Sequence, residues 1–288
     1  MKKLFTKFIG VIILGGLLLT SCNSGITYPS VSDTPTGEYH PGQFVWHDLA
    51  TPNPDASMDF YKSVFGWEYS LIGSGENTYY VILNDDKPIG GMFKLAAKYG
   101  NAGEWVGSIS VNDVDAAVKY NIDQGGKTIF DAVSFKGRGE TALVQDPQGA
   151  IVAFLHADGG DPAFIKEPKE NSWLWNELWT NDTDGSLKYY NGLFGFGAKS
   201  ISGSKAPYFV FEKDKTKYCG VLGNPVKGAR SAWMPYIRVS DVKSAVEKAK
   251  KAGATIMMEP NENIRKGSVA VILDPYGAQF TVQEWPIN

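Results

Sequence analysis

The hydrophobic pattern that follows the N-terminal region predicts a strand, a helix and three more strands. Residues 44–51, FVWHDLAT, alternate aromatic or aliphatic with polar side chains over a short run, which is typical of a half-buried β-strand. Asn53 and Pro54 then give a helix-start signal, and apolar residues recur at helical spacing up to Phe65. Gly66 is suited to end that helix in a left-handed conformation. The apolar runs that come next predict strands over residues 67–72, 78–83 and 88–95.

This pattern repeats along the chain. Residues 43–68 align with residues 172–197 at an offset of 129, and an Asp-Pro-x-Gly-Ala run recurs late in each half. Within the first half, a strand followed by a helix begins again at residues 104–125. We therefore predict an α+β fold of two tandem domains, in which a βαβββ module occurs four times. The predicted boundaries are a first domain over 41–156, a linker over 157–171 and a second domain over 172–288.

The first part of the chain, residues 1–22, is predicted to be an export signal. Three lysines precede an apolar run of 12 residues, Phe8 to Leu19, which is shorter than the ~20 residues that a transmembrane helix needs. The run ends in Leu-Thr-Ser-Cys, which resembles a bacterial lipobox and implies cleavage before Cys22 and lipidation of its thiol. We expect a lipid-anchored protein of the bacterial cell envelope, at the outer membrane if the host is Gram-negative.

The composition of the chain limits the classes of partner that it can bind. It has 28 basic and 31 acidic side chains and a formal net charge of −3, a balance that argues against nucleic acid as a partner. With Cys22 lipidated, Cys219 has no partner for a disulfide within the chain and is expected to be a small core residue. Residues 23–40 are rich in Ser, Thr, Gly and Pro, so a flexible tether to the lipid bilayer is predicted there.

Several motifs resemble the vicinal oxygen chelate superfamily, which includes glyoxalase I, bleomycin resistance proteins and extradiol dioxygenases. They are DASMDFYKSVFGW at 55–67 and DPQGAIVAF at 146–154, with DGSLKYYNGLFGF at 184–196 and DPYGAQFTV at 274–282 in the second half. The resemblance covers 43–156 and 172–285 and points to a glyoxalase-like subgroup with two tandem domains. It implies that in each domain two modules curl a mixed sheet around a cavity, with the helices outside.

The resemblance also implies where a divalent metal would be bound, on the first and last strands of the modules. These positions fall on Trp46, Val106 and Ala153 in the first domain and on Trp175, Met234 and Thr281 in the second. None of these residues carries an imidazole or a carboxylate, the ligands that a divalent site prefers. We therefore predict no metal ligands and no cofactor, and keep a divalent metal at an atypical site as an alternative.

Two acidic residues, Asp48 and Glu177, occupy equivalent mid-strand positions, each two residues after a Trp and on the same face of the strand. A carboxylate in an aromatic, partly dry setting is a candidate general base, or an anchor for a ligand hydroxyl or amine. A structural acid, hydrogen-bonded by its neighbours, is the other interpretation. Arg238 is expected on the cavity face of a neighbouring strand and is a candidate partner for Glu177.

Aromatic residues supply the remaining candidates for ligand contacts, with core packing as the alternative role for the same side chains. They are Trp46, Tyr80 and Trp105 in the first domain and Trp175, Phe209 and Trp233 in the second. Together with Asp48, Glu177 and Arg238 they form the predicted ligand site.

Three functions are compatible with these features. The first is a membrane-anchored protein of the glyoxalase and bleomycin-resistance type that binds a small organic molecule, aromatic or amphipathic, without metal. The second is a glyoxalase-like lyase or isomerase, or a dioxygenase, that uses Asp48 or Glu177 with an atypical divalent-metal site. The third is a structural envelope module whose cavities are filled by side chains. A monomer is expected, because the duplication supplies within one chain the paired domains that the superfamily often forms between two.

Overall fold

Two mixed β-sheets of eight strands each, with four α-helices, make up the described part of the protein. The structure is a computed structural model that describes residues 26–201 and 207–286. The predicted signal and Cys22 lie outside the described residues. Each half of the chain forms one sheet, and the order βαβββ occurs four times, which confirms the predicted modules. Over the described residues, every helix is too short or too polar to cross a membrane.

The elements have the following bounds. The first sheet contains β1 (Phe44–Thr51), β2 (Glu68–Ile72), β3 (Tyr79–Asn84), β4 (Lys87–Lys94), β5 (Glu104–Ser110), β6 (Lys127–Phe135), β7 (Gly139–Gln145) and β8 (Ile151–Ala157). The second contains β9 (Trp173–Thr180), β10 (Gly197–Ser200), β11 (Tyr208–Lys213), β12 (Thr216–Gly223), β13 (Ala232–Val239), β14 (Thr255–Met258), β15 (Val269–Leu273) and β16 (Gln279–Glu284). The helices are α1 (Pro54–Phe65), α2 (Val114–Asp123), α3 (Thr183–Phe194) and α4 (Val242–Lys251).

The helix signals in the sequence act as predicted. Asn53 caps α1, because its side chain accepts a hydrogen bond from the backbone N–H of Ala56 at 3.3 Å. An Asp caps each of the other three helices in the same way. Gly66 ends α1 in the left-handed region, with φ 75°, and Gly195 ends α3 with φ 68°.

The first strands of the two modules lie antiparallel at the centre of each sheet. The first sheet has the order β2-β3-β4-β1-β5-β8-β7-β6, and the second repeats it as β10-β11-β12-β9-β13-β16-β15-β14. The register places Asp48 beside Gly91 of β4 and Val106 of β5, and Glu177 has the equivalent place in the second sheet. The topology therefore brings one acid to the centre of each sheet.

Each large hydrophobic core joins the first half of the chain to the second. One core combines α1 and neighbouring strands with α4 and its strands, and includes Tyr61 and Phe280. The other combines α2 with α3, and includes Phe154 and Tyr190. Because neither core is built from one half alone, the two halves pack as one unit.

The N-terminal segment, residues 26–40, packs against the first sheet. Val31 is buried in a cluster with residues of the sheet. The carboxylate of Asp161, which is fully buried, accepts a hydrogen bond from the backbone N–H of His40 at 2.6 Å. The flexible tether predicted over 23–40 is therefore wrong for this segment, because apolar and hydrogen-bonding groups among its polar residues dock it onto the sheet.

Candidate functional site

A Trp, a Tyr, an acid and an Arg come together on one face of the first sheet. The Tyr79 hydroxyl donates to Asp48 Oδ1 at 2.5 Å, and Trp46 Nε1 lies 3.1 Å from the same oxygen. Arg138 Nη1 donates to Tyr79 Oη at 3.0 Å and lies 3.7 Å from Asp48 Oδ2. We call Trp46, Asp48, Tyr79 and Arg138 the domain 1 tetrad. The predicted pairing of Trp46 with Asp48 on one strand face is confirmed.

Arg138 is held in place on several sides. Its guanidinium carbon lies 4.0 Å from the centre of the Trp46 ring, and its Nε donates to the carbonyl of Pro29 at 3.1 Å. Only 6% of its surface is exposed, so this cation is a fixed counter-charge for Asp48. Burial raises the pKa of Tyr79, with Asp48 adding to the effect and Arg138 opposing it. The Tyr79 hydroxyl therefore stays protonated and donates to the carboxylate.

Three members of the domain 1 tetrad, Asp48, Tyr79 and Arg138, line a cavity. The cavity has a volume of about 90 Å³, less than the ~150 Å³ of an enclosed cavity that holds a benzene ring, but it is partly open to solvent, so a small ring compound would extend toward the opening. Ser108 and Thr141 contribute hydroxyl groups, and most of the remaining wall is apolar. The apolar wall is formed by Phe93, Val106, Phe130, Phe135, Leu143 and Ala153.

The N-terminal segment closes one side of this cavity. The Tyr28 ring packs edge-on against Tyr79 at 5.3 Å and against Phe135 at 4.9 Å between ring centres. Its backbone N–H donates to the carbonyl of Lys136 at 2.8 Å. Sequence reasoning missed Tyr28, because its polar surroundings in the sequence favoured a tether.

The second domain brings together a Trp, an acid, a Tyr and an Arg as well, with Glu in place of Asp. We call Trp175, Glu177, Tyr208 and Arg265 the domain 2 tetrad. The Tyr208 hydroxyl donates a hydrogen bond to Glu177 Oε1 at 2.8 Å, and Arg265 Nη2 donates to the same oxygen. The Tyr236 hydroxyl bonds the other oxygen, Oε2. Both oxygens of Glu177 are therefore taken by the protein.

The two sites differ in the side chain that stands next to the tetrad. Tyr236 lies opposite Trp175 in the register of the second sheet, whereas the small Ser108 lies opposite Trp46 in the first. Glu177 is only 1% exposed, but the Asp48 side chain keeps 21% of its surface. In the second sheet, the Tyr236 side chain thus occupies the space that is a cavity in the first sheet.

Two of the predicted aromatic contacts lie on the opposite face of their sheets. Trp105 is in register with Leu49 of β1, not with Asp48, and its indole donates to Tyr61 Oη at 2.8 Å in one core. Trp233 makes the equivalent contact with a tyrosine of the other core. Because successive strand residues point to opposite faces, their predicted place at the cavity is wrong.

Tyr80 and Phe209 are also misplaced by the sequence reasoning. Tyr80 packs against the core that contains Tyr61, and Phe209 packs against the core that contains Tyr190. Both therefore lie on the helix side of their sheets. The residues one position earlier, Tyr79 and Tyr208, face the acids instead. The sequence did contain a signal for Tyr79 and Tyr208. They occupy the same position of the repeat, and a buried carboxylate needs a hydrogen-bond donor such as a tyrosine hydroxyl.

Arg238 is not the partner of Glu177. Its Nη1 donates to the carbonyl of Pro168, and Arg265 bonds Glu177. Neither Arg265 nor Arg138 carried a sequence signal: they are 127 residues apart, which is out of step with the repeat offset. Both lie in connections between strands, where alignment of the repeat is weakest.

The residues around the cavity do not fit a divalent metal. Of the positions that the resemblance marked for ligands, Val106 and Ala153 line the cavity and Trp46 donates to Asp48. Of the described residues that line the cavity, Asp48 is the one carboxylate, and Arg138 and Tyr79 already partner it. Among residues 26–201 and 207–286, no three His, Cys, Asp or Glu side chains cluster as metal ligands.

The chain belongs to the Glyoxalase/Bleomycin resistance protein/Dioxygenase superfamily, whose sequence profile matches residues 42–154 and 174–282. It is 29% identical over 265 residues to "Putative glyoxylase CFP32" of Mycobacterium tuberculosis, covering 85% of this chain and 95% of that protein. It is 27% identical over 261 residues to the anthracycline biosynthesis protein DauV of a Streptomyces species, covering 85% of this chain and 94% of that protein.

Solved structures share the fold at low sequence identity. The Mn(II)-bound glyoxalase from Novosphingobium aromaticivorans has a TM-score of 0.57 and 15% identity, over 85% of this chain and 82% of that one. The 2,2',3-trihydroxybiphenyl 1,2-dioxygenase from Sphingomonas wittichii has a TM-score of 0.55 and 11% identity, over 85% and 91%. These likenesses support the architecture of paired modules and do not assign a reaction.

Proposed function

We propose that this protein is a membrane-anchored member of its superfamily that binds a small organic molecule, aromatic or amphipathic, without a metal ion. The observation that carries the proposal is the cavity of the first sheet, which combines an apolar wall with the Asp48–Arg138 ion pair. Enclosed apolar pockets with a few convergent polar groups are the usual form of small-molecule sites. The filled arrangement around Glu177 argues for one site per chain.

The membrane anchor is the second part of the proposal. Lipidation of Cys22 would leave five residues between the lipidated Cys22 and Tyr28, so their Cα atoms could be at most about 22 Å apart when this part of the chain is fully extended. The cavity would then lie close to the bilayer surface, a place where amphipathic compounds accumulate. Mass spectrometry of the purified full chain should find a lipid on Cys22, and C22A should release the protein from membranes.

Ligand binding is tested with a variant that copies the second sheet. A ring-compound library screened by thermal shift should give compounds that raise the Tm of the soluble body. The substitution Ser108→Tyr places at the cavity the residue that Tyr236 provides in the other half, and it should abolish those shifts. Ser108→Ala, which leaves the cavity open, is the matched control and should retain them.

Two outcomes would overturn this proposal. If a broad library never shifts the Tm of the wild-type body, the structural-module interpretation replaces it. If the purified body contains stoichiometric divalent metal that Asp48→Asn removes, the lyase, isomerase or dioxygenase interpretation with an atypical metal site replaces it.

A further inference from the structure

Asp48 has one carboxylate oxygen left for a ligand. Its Oδ1 already accepts from Tyr79 at 2.5 Å and from Trp46 at 3.1 Å. Its Oδ2 lies 3.7 Å from Arg138 Nη1, too far for a direct hydrogen bond, and accepts none from the described residues. The side chain lines the cavity and is 21% exposed. Oδ2 is thus an acceptor that the fold leaves open to the cavity.

The charges around Oδ2 decide which donor suits it. Asp48 and Arg138 compensate each other, and the Arg138 side chain is only 6% exposed, so its charge is fixed beside the cavity. An ammonium group would add a second cation next to Arg138. A carboxylate could accept from Arg138 Nη2, which is buried and has no partner among the described residues, but it would also face the Asp48 anion. Each would lose part of its hydration beside a like charge. An uncharged O–H donor meets neither difficulty.

The remaining wall decides the body of the ligand. The six apolar side chains of the wall include three phenylalanines, and Tyr28 covers one side. Aromatic rings pack well against such surfaces in edge-on or offset arrangements. The cavity takes no more than one ring, whose substituents would extend toward its open side.

We infer that the ligand is an uncharged ring compound that carries a hydroxyl group, and that this hydroxyl donates to Asp48 Oδ2 while the ring lies against the phenylalanines. The inference rests on the proposed function and makes it specific. It adds to that function the protonation state of the ligand and the atom that recognises it.

A set of four matched compounds tests the inference on the unmodified soluble body. They are 4-ethylphenol, 4-ethylanisole, 4-ethylbenzoate and 4-ethylbenzylammonium. By calorimetry, we expect the phenol to bind at least about tenfold more tightly than the anisole, which has the same ring without the donor. The two charged compounds should bind more weakly than the phenol.

The Asp48→Asn variant shows whether Asp48 is the acceptor. It should reduce the phenol-to-anisole affinity ratio several-fold, since the charged acceptor is lost. Asp131→Asn, the same change at an exposed site on β6, should leave the ratio unchanged. Circular dichroism and Tm show that each variant is folded. If Asp48→Asn fails to fold, the comparison of the four compounds on the wild type decides alone.

The outcomes separate the inference from the proposed function. Equal binding of phenol and anisole, or tighter binding of either charged compound, overturns the inference and leaves the proposed function intact. If other library compounds bind but none of these four does, the inference is likewise overturned and the proposed function stands. Failure of the whole library overturns both.

Discussion

His47 is a buried residue at the point where the two halves of the chain meet. It is 2% exposed, its Nε2 lies 2.9 Å from Asn176 Oδ1, and its ring stacks on Trp173 at 4.2 Å between centres. His47 and Asn176 occupy the same position in the repeat, so the pair marks the local two-fold relation of the halves. Burial lowers the pKa of His47 to about 4, although the bond to Asn176 opposes the effect.

This pKa predicts a pH dependence of stability. Because the folded pKa of His47 lies near 4 and the unfolded value near 6.5, the unfolded chain takes up the proton first as the pH falls. The contribution is complete above pH 6.5 and is lost toward pH 4, and it amounts to about 3 kcal/mol. Urea unfolding between pH 4 and 8 should show this loss, and His47→Gln should remove most of it. The same slope in the variant would assign the loss to other groups.

At the scale of elements, the N-terminal segment is part of the candidate site and also leads toward the predicted lipid anchor. Tyr28 contributes its ring to the cavity wall, and Pro29 contributes its carbonyl to Arg138. The segment therefore links the cavity to the chain that leads to the predicted lipid. Burial of the Tyr28 hydroxyl raises its pKa, with Arg138 opposing the effect, so the ring enters the cavity uncharged.

Removing the Tyr28 ring is expected to open one side of the cavity. The substitution Tyr28→Ala should lower the free energy of unfolding by about 1–2 kcal/mol, less than for a fully buried aromatic residue because the ring is half-buried. It should also increase the dissociation rate of any bound ring compound. Urea unfolding and stopped-flow displacement measure the two effects, and the exposed neighbour change Thr27→Ala is the control. Wild-type values for both would mean that the segment only rests on the sheet.

The elements were predictable from the sequence to a greater extent than the site. Strands β2, β3 and β4 begin and end within one residue of their predicted bounds, because periodicity and turn residues act locally. The site depends on which of two adjacent tyrosines, Tyr79 or Tyr80, turns to the acid, and one residue of register decides that. Arg138 comes close to Asp48 only because strands that are distant in the sequence pair in the sheet, and local sequence patterns do not predict such a contact.

At the scale of the whole molecule, the two halves of the chain are joined by equivalent polar contacts, one in each core. Tyr61 donates to Asp274 at 3.1 Å and Tyr190 donates to Asp146 at 2.8 Å, in each case from one half to the other. Burial raises the pKa of both aspartates, so each depends on its hydrogen-bond donors to stay ionised. The Asp-Pro-x-Gly runs that recur late in each half of the sequence therefore also join the halves.

These contacts predict matched losses of stability. Tyr61→Phe and Tyr190→Phe each remove one donor from a buried aspartate, and each should lower the free energy of unfolding by about 1–3 kcal/mol. Denaturant unfolding of both variants measures the effect. The double variant should lose close to the sum, because the two contacts lie in separate cores. Losses below a few tenths of a kcal/mol would mean that water replaces the hydroxyl groups at no cost.

The sharing of both cores between the halves predicts that neither half folds alone. A break between Lys166 and Glu167, both exposed, gives fragments 26–166 and 167–286. Alone, the first would expose the apolar faces that α4 and α3 cover in the intact chain, so it should unfold without a cooperative transition. Mixing the fragments should restore the transition, as measured by circular dichroism in urea. A cooperative transition in the isolated first fragment, with the midpoint of the intact body, would show instead that the repeat consists of two independent domains.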